Sequence, residues 1–347
     1  MAEFNDRFLK ACRREPTDAT PIWLMRQAGR YMPEYRKLRE KRSMIELCTT
    51  PDLAAEVTLM PVRRFAFDAA ILFSDLTIPF TAMGAPFSLV ENVGPVFEKP
   101  VRSRADVDAL HGFEPEESLA FTMESIRILR RELRVPLIGF AGGPFTLAAY
   151  LVEGGSSRDF SRARAMMYAD PAAWHVLMDL LAENVIKYLA AQIRAGAQAV
   201  QLFDSWVGVL HPETYKTYVM PHVKRIFDGL KPLGAPTIHF GTRTSDLLLL
   251  MRDAGGDVIG IDWMTPLGNA WKRLGDRVAV QGNLDPAALL ASPDMVRAEA
   301  RKVLAEAGEH PGHIFNLGHG ILPETPVENV DALVEFVHAG VRTEDKA

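Results

Sequence analysis

Only two cysteines, Cys12 and Cys48, occur in the chain. No disulfide framework can be built from them, and neither stands in the histidine–cysteine spacing that holds zinc. Such scarcity fits a reducing compartment. No apolar run approaches the roughly 20 residues that cross a bilayer, and the opening MAEFNDRFLKACRREP lacks the apolar core of a secretory signal. A cytoplasmic location without membrane contact is expected. Positive charge is not in surplus either: the formal net charge is −5 over 347 residues. A slightly acidic whole has no general affinity for nucleic acid or anionic lipid, so any hold on an anion has to be local. Nucleotide signatures are missing, with no P-loop and no GxGxxG behind the first expected strand. No lysine stands at an expected strand end to form a Schiff base.

Apolar residues, 48% of the chain, fall in short runs bounded by turn residues. Eight runs read as strands: 21–25, 69–73, 137–140, 199–203, 236–240, 257–261, 277–280 and 313–317. Most are near-continuous hydrophobics, the pattern of parallel strands covered on both faces. Helical patterns at about 51–65, 115–133, 171–194, 212–231, 244–254, 266–274, 293–308 and 326–340 lie between and after them. Six begin with a proline at the expected first helical position (Pro51, Pro171, Pro212, Pro266, Pro293, Pro326). Capping residues precede five: Thr50, Asp170, Thr265, Ser292 and Thr325. Alternation of eight strands with eight helices predicts an α/β fold, a (β/α)8 TIM-type barrel in a single domain over 1–347; an open doubly wound sheet is the competing arrangement. Three additions are expected: an N-terminal helix near 3–14, an inserted hairpin at 85–101 turning at Asn92-Val93-Gly94, and a long excursion at 143–168 through Tyr150 and Gly154-Gly155-Ser156-Ser157.

Barrels of this type place their sites at the carboxyl ends of the strands. In chain order those ends carry Arg26, Gln27 and Arg30, then Ser74 and Asp75, then Gly142-Gly143. The later ends carry Asp204-Ser205-Trp206, His239-Phe240-Gly241, Asp262, Gln281-Gly282-Asn283 and Gly318-His319-Gly320. Between 25 and 42 seven cations (Arg26, Arg30, Arg36, Lys37, Arg39, Lys41, Arg42) face two anions, Glu34 and Glu40. Most of these read as a solvated helix face, with a helix starting near Pro33. Arg26 and Arg30 differ because they directly follow a buried strand, where guanidinium groups can take carboxylates or phosphates bidentately. Taken singly, Asp75 and Ser205 also read as turn or cap residues, His319 as a loop histidine and Tyr150 as a core aromatic. Their shared rim carries the argument, and it points to an anionic ligand held by arginines without metal or cofactor.

The stretch Trp23-Leu24-Met25-Arg26-Gln27-Ala28-Gly29-Arg30-Tyr31 closely resembles the N-terminal signature of the uroporphyrinogen decarboxylase family. Ile71-Leu72-Phe73-Ser74-Asp75, Gly139-Phe140-Ala141-Gly142-Gly143-Pro144-Phe145-Thr146 and Asn316-Leu317-Gly318-His319-Gly320 are similar to its other blocks, so the resemblance spans nearly the whole chain. It implies a cofactor-free homodimeric barrel that converts uroporphyrinogen III to coproporphyrinogen III by removing four acetate carboxylates. It implies substrate-site residues at Arg26, Gln27, Arg30, Asp75, Tyr150, Phe203, Ser205 and His319, with Asp75 and Arg26 catalytic. The proton donor stays open among a protonated His319, Asp75 and a trapped water. Two alternatives are carried forward. One is a zinc-dependent corrinoid methyltransferase of the same superfamily, which carries His-x-Cys where this chain reads His239-Phe240-Gly241. The other is a non-catalytic porphyrin-binding protein.

Overall fold

The computed structural model describes residues 4–90 and 93–340. Among them run nine strands: β1 (Ala70–Ile71), β2 (Phe87–Val90), β3 (Gly94–Phe97), β4 (Leu137–Gly142), β5 (Ala199–Phe203), β6 (Thr237–Phe240), β7 (Val258–Gly260), β8 (Ala279–Gln281) and β9 (His313–Ile314). Seven form one sheet in the order β1-β4-β5-β6-β7-β8-β9, every pair parallel. All six residues of β4 are buried, as a strand with helices behind it and a barrel interior in front requires.

The expected first strand, 21–25, is not a ladder strand. It joins the sheet by one parallel bridge, Ile22 to Phe315. Pro21 has no N–H to give, and most of the following N–H groups go to side chains. Ile22 donates to Asp68 Oδ2 at 2.8 Å, Leu24 to Gln27 Oε1 at 3.1 Å and Met25 to Asn316 Oδ1 at 3.0 Å. On its other edge the Asp68 N–H donates to the Ile22 carbonyl at 2.9 Å. The segment is thus an eighth stave closing the gap between β9 and β1, held by carboxylate and amide groups in place of a backbone ladder. Asp68 anchors it. Burial alone would push this carboxyl up, but His338 at 2.7 Å, the Ile22 N–H and Asn5 hold it below the usual range.

Helices follow the strands close to the expected limits, as at Pro51–Arg64, Pro171–Ala195 and Pro293–Ala307. Asp170 and Ser292 cap theirs by accepting from the Ala173 and Met295 N–H groups. Pro266 and Pro326 sit one position earlier than expected, as the capping residues of Leu267–Leu274 and Val327–Ala339, so Thr265 and Thr325 are not caps. Thr50 is a cap without a side-chain bond. The excursion after β4 is two helices, Pro144–Glu153 and Ser161–Ala169; Gly154 ends the first with φ 78°, open to glycine without strain. β2 and β3 form the inserted hairpin, and Phe87 and Phe97 clasp Phe80 at 6.2 and 5.1 Å. Asn92 of its expected turn lies outside the described residues, as do residue 3 and residues 341–347. The N-terminal helix is shorter than expected, Arg7–Cys12, and places Phe8, Ala11 and Cys12 in one buried cluster with Trp23, Ile138, Ile238 and Val258. It plugs the amino end of the barrel and leaves the carboxyl end as the mouth. Among the described residues no helix is long and apolar enough to cross a membrane.

Candidate active site

The eighth stave delivers Arg26 to the mouth. Asn316 Oδ1 accepts from both Met25 and Leu317 N–H groups, so the ends of the first and last staves are tied together. The chain then turns sharply, with Arg26 at φ 62° and the Gln27 N–H bonded to the Leu24 carbonyl at 2.9 Å. A left-handed arginine is uncommon and holds strain that the surroundings have to impose. Gln27 imposes part of it. Its amide is fully buried, accepting from Leu24 and donating to the Ala69 carbonyl at 3.1 Å, so it braces the loop from behind. The exposed Arg26 side chain crosses Gly320, where an added Cβ would lie 2.5 Å from Arg26 Cδ. That brings the guanidinium beside His319. Burial, and then Arg26, push the half-buried His319 imidazole down to about 4, so it is neutral near pH 7. Its ring stands edge-on to Trp263, centroids 6.1 Å apart. Arg30 is exposed at the outer edge of the same loop.

Asp75 reaches the mouth after β1. The Thr77 N–H and hydroxyl donate to its Oδ1 at 2.9 and 2.5 Å, which fixes the carboxylate and leaves Oδ2 open. Its charge reaches both the buried Cys48 thiol and the Tyr150 phenol, adding to the upward push that burial gives each.

Tyr150 lies on Pro144–Glu153, its ring edge-on to Trp206 at 6.3 Å and 85°. Burial and Asp75 push its phenol up, while the Trp206 indole and Arg26 pull it down, so it stays protonated and able to donate. The Trp206 indole N–H itself reaches no partner in full hydrogen-bond geometry. Asp204 pins this side of the mouth. Its Oδ1 accepts from the Thr146 N–H at 3.1 Å and hydroxyl at 2.9 Å, and Thr146 Oγ1 accepts from the Trp206 N–H at 3.2 Å. Complete burial pushes Asp204 up to about 6, with its Oδ2 unpartnered. Ser205 is half-buried with its hydroxyl free among the described residues; its carbonyl accepts from Thr242 at 2.6 Å. Phe203 ends β5 half-buried between the better-buried Phe140 and Phe240, at 5.6 and 5.9 Å.

Arg26, Asp75, Tyr150 and His319 therefore share one electrostatic neighbourhood, with Phe203 and Ser205 on the adjoining strand end. Among the described residues neither Arg26, Arg30 nor Asp75 has an ion-pair partner, whereas Arg7 at the amino end of the barrel binds Asp18 and Asp68 at 2.6 Å each. Unpaired charges of both signs at one mouth can serve a ligand that is anionic at its edge and a hydrogen-bond donor elsewhere. His239 is not part of this neighbourhood. It is fully buried, its Nδ1 faces the Met251 carbonyl at 3.3 Å and its ring packs on Phe227 among the outer helices. Three rim residues lie beyond the strand ends that the sequence pattern defines: Thr77, Trp263 and Arg243. None of the three directly follows an expected strand as Arg26 does, so the sequence pattern does not single them out.

The molecule is an α/β barrel whose strand-end mouth carries charges of both signs without ion-pair partners among the described residues. The family model described as Uroporphyrinogen decarboxylase (URO-D) matches residues 3–340, and the chain belongs to that family. It is 56% identical over 337 residues to "Uroporphyrinogen decarboxylase" of Sorangium cellulosum, covering 96% of each chain. To the protein of the same name from Carboxydothermus hydrogenoformans it is 55% identical over 336 residues, again covering 96% of each. Among solved structures it is similar in fold to a methyltransferase from Methanosarcina mazei, with a TM-score of 0.80, 21% identity and coverage of 97% and 98% of the two chains.

Proposed function

We propose that the chain removes the four acetate carboxylates of uroporphyrinogen III to give coproporphyrinogen III, with Asp75 and Arg26 at the centre of the chemistry. One observation carries the residue assignment: Arg26 and Asp75, opposite in sign and both felt by Tyr150, stay unpaired at the same mouth. The names of the relatives support the substrate. Uroporphyrinogen has eight carboxylates on its edge and four pyrrole N–H groups at its centre, so cations suit the rim and a lone anion suits the middle.

Losing CO2 leaves an electron pair on the carbon that bore it, and most decarboxylases lend a cofactor as sink. A pyrrole protonated at a ring carbon is its own sink. The pair from the breaking bond enters the iminium-like ring, the exocyclic methylene is protonated to a methyl, and the ring proton then leaves. Asp75 accepts the pyrrole N–H groups through its open oxygen and stabilises the cationic ring. At about 4 Å and an effective dielectric near 20 this attraction is roughly 4 kcal/mol, or about a thousandfold in rate if fully differential. Arg26 holds the reacting carboxylate beside the neutral His319 and the protonated Tyr150, while Arg30 and Ser205 hold carboxylates that do not react. Their binding energy fixes the reacting ring. Phe203 gives the macrocycle an apolar seat, and Gln27 acts from behind as the brace of Arg26.

A cytoplasmic homodimer is part of this reading, on the family resemblance and on the exposed Trp263 and Met264 beside the mouth; a single-subunit mass in sedimentation removes it. The zinc methyltransferase alternative gains no support from the donor set: Phe240 and Gly241 follow His239, and burial pushes both thiols well above their usual range. An anaerobic assay with uroporphyrinogen, with products oxidised and their carboxylates counted, tests the proposal. Four carboxylates on the product are expected. Eight would leave only a porphyrin-binding protein.

A further inference from the structure

We propose that Arg243 is a second cationic anchor for the substrate, facing Arg26 across the barrel mouth. The inference rests on the decarboxylase reading and extends it to the far side of the ligand. Counting the 21–25 segment as a stave, the closed order is 21–25, β1, β4, β5, β6, β7, β8, β9. Three staves separate 21–25 from β6 in either direction, so the two are diametrically opposed. Arg26 follows the first and Arg243 the second.

The two arginines share unusual local structure. Arg243 has φ 56° against 62° for Arg26, and both side chains are exposed. Strain alone does not make a site, because Arg14 at the plugged end has φ 58°. At Arg243 the backbone is clamped from both sides. Its N–H donates to the buried Asp262 carboxylate on the β7 side. On the β5 side the Thr242 hydroxyl donates to the Ser205 carbonyl, and Gly208 packs so closely that an added Cβ would lie 2.1 Å from the Thr242 oxygen and 2.6 Å from the Arg243 oxygen. The neighbour beyond Asp262 is Trp263, which abuts His319. Arg243 therefore stands on the rim between Ser205 and His319, its backbone rigidly mounted, and among the described residues its guanidinium makes no ion pair, although its charge reaches the Asp262 carboxyl. A ligand with one carboxylate would need cations on one side only. A macrocycle with carboxylates around its whole edge presents anions to Arg26 and to the opposite wall at once, where a rigid guanidinium takes them bidentately.

The test is steady-state kinetics of the full chain with uroporphyrinogen under anaerobic conditions, comparing the parent with Arg243→Gln, Arg243→Lys and Arg243→Gly. Glycine suits the left-handed backbone and removes the side chain without straining the loop, so it serves even where Gln disturbs it. The expected result is a KM about tenfold higher for both Gln and Gly, with kcat changed less than about threefold, partial recovery in Lys and a shallower salt dependence of KM. A KM within twofold of the parent in Arg243→Gly overturns the proposal while leaving the decarboxylase reading intact. A parent that releases no CO2 from uroporphyrinogen overturns both.

Discussion

The Thr77 hydroxyl donates to Oδ1 of Asp75 at 2.5 Å, and the Thr77 N–H to the same oxygen at 2.9 Å. One carboxylate oxygen is thus spent on holding the group still, and the other is free for a ligand. Asparagine at 75 can keep the first function, because its carbonyl accepts both bonds. Asp75→Asn is expected to retain its melting temperature within a few degrees and to bind substrate, while kcat falls by about a hundred- to a thousandfold. Turnover near the parent value would remove Asp75 from the centre of the reaction.

Gly320 and Gly318 flank His319 and differ in what they touch. A Cβ at 320 would meet the Arg26 side chain at 2.5 Å, and that side chain can move; a Cβ at 318 would meet the Trp263 backbone nitrogen at 2.1 Å, which cannot. Gly320→Ala should therefore fold normally and raise KM several-fold by displacing Arg26. Gly318→Ala should lose about 1–3 kcal/mol of stability. Urea melts paired with kinetics check both, and equal destabilisation of the two would contradict the geometry.

His319 offers a titration test. Burial and the Arg26 charge both disfavour its cation, which sets its midpoint at about 4. In the free protein its ring proton signals are expected to stay flat from pH 8 to about 5.5. Arg26→Gln should move the midpoint upward, and a bound polycarboxylate should do the same. A midpoint at 6.5 in the free protein would show that neither cause operates.

Asp204 gives a stability test with a fixed sign. Its carboxyl is raised from 3.8 to about 6 by burial. Below pH 3.8 the folded and unfolded chains are both protonated there and the group costs nothing. Between 3.8 and 6 the unfolded chain releases the proton first, so this contribution to stability falls as pH rises, by roughly 3 kcal/mol in all. Asparagine does not titrate and keeps an acceptor for Thr146. The stability of Asp204→Asn relative to the parent should therefore climb between pH 4 and pH 7, as read by urea denaturation. A difference independent of pH would mean that burial leaves the Asp204 carboxyl unshifted between the folded and unfolded chains.

The parallel barrel was legible because its strands are buried on both faces and its helices open on proline, and β4 to β9 fall at or near the apolar runs. The first stave was not, because its apolar residues say nothing of where the N–H groups of Ile22, Leu24 and Met25 go. Periodicity registers side-chain burial; it is blind to side-chain amides standing in for a neighbouring strand. In the site, Arg26, Asp75 and His319 were visible as polar residues at strand ends. The commitment of Gln27 to backbone groups was hidden, because a buried amide and a ligand-facing amide look alike in sequence. Arg243 was missed because β6 ends at Phe240, and only the closed stave order sets its loop opposite Arg26.

Asn316 grips the N–H of Met25 across 291 residues of sequence. Few contacts in a chain this long are so non-local, and loop-closure entropy makes such contacts late to form. The turn bearing Arg26 leaves the ribosome 291 residues ahead of the side chain that fastens it. During synthesis the Arg26 loop therefore lacks this fastening until Asn316 has emerged, so full rigidity of the mouth waits on a residue from the opposite side of the barrel seam.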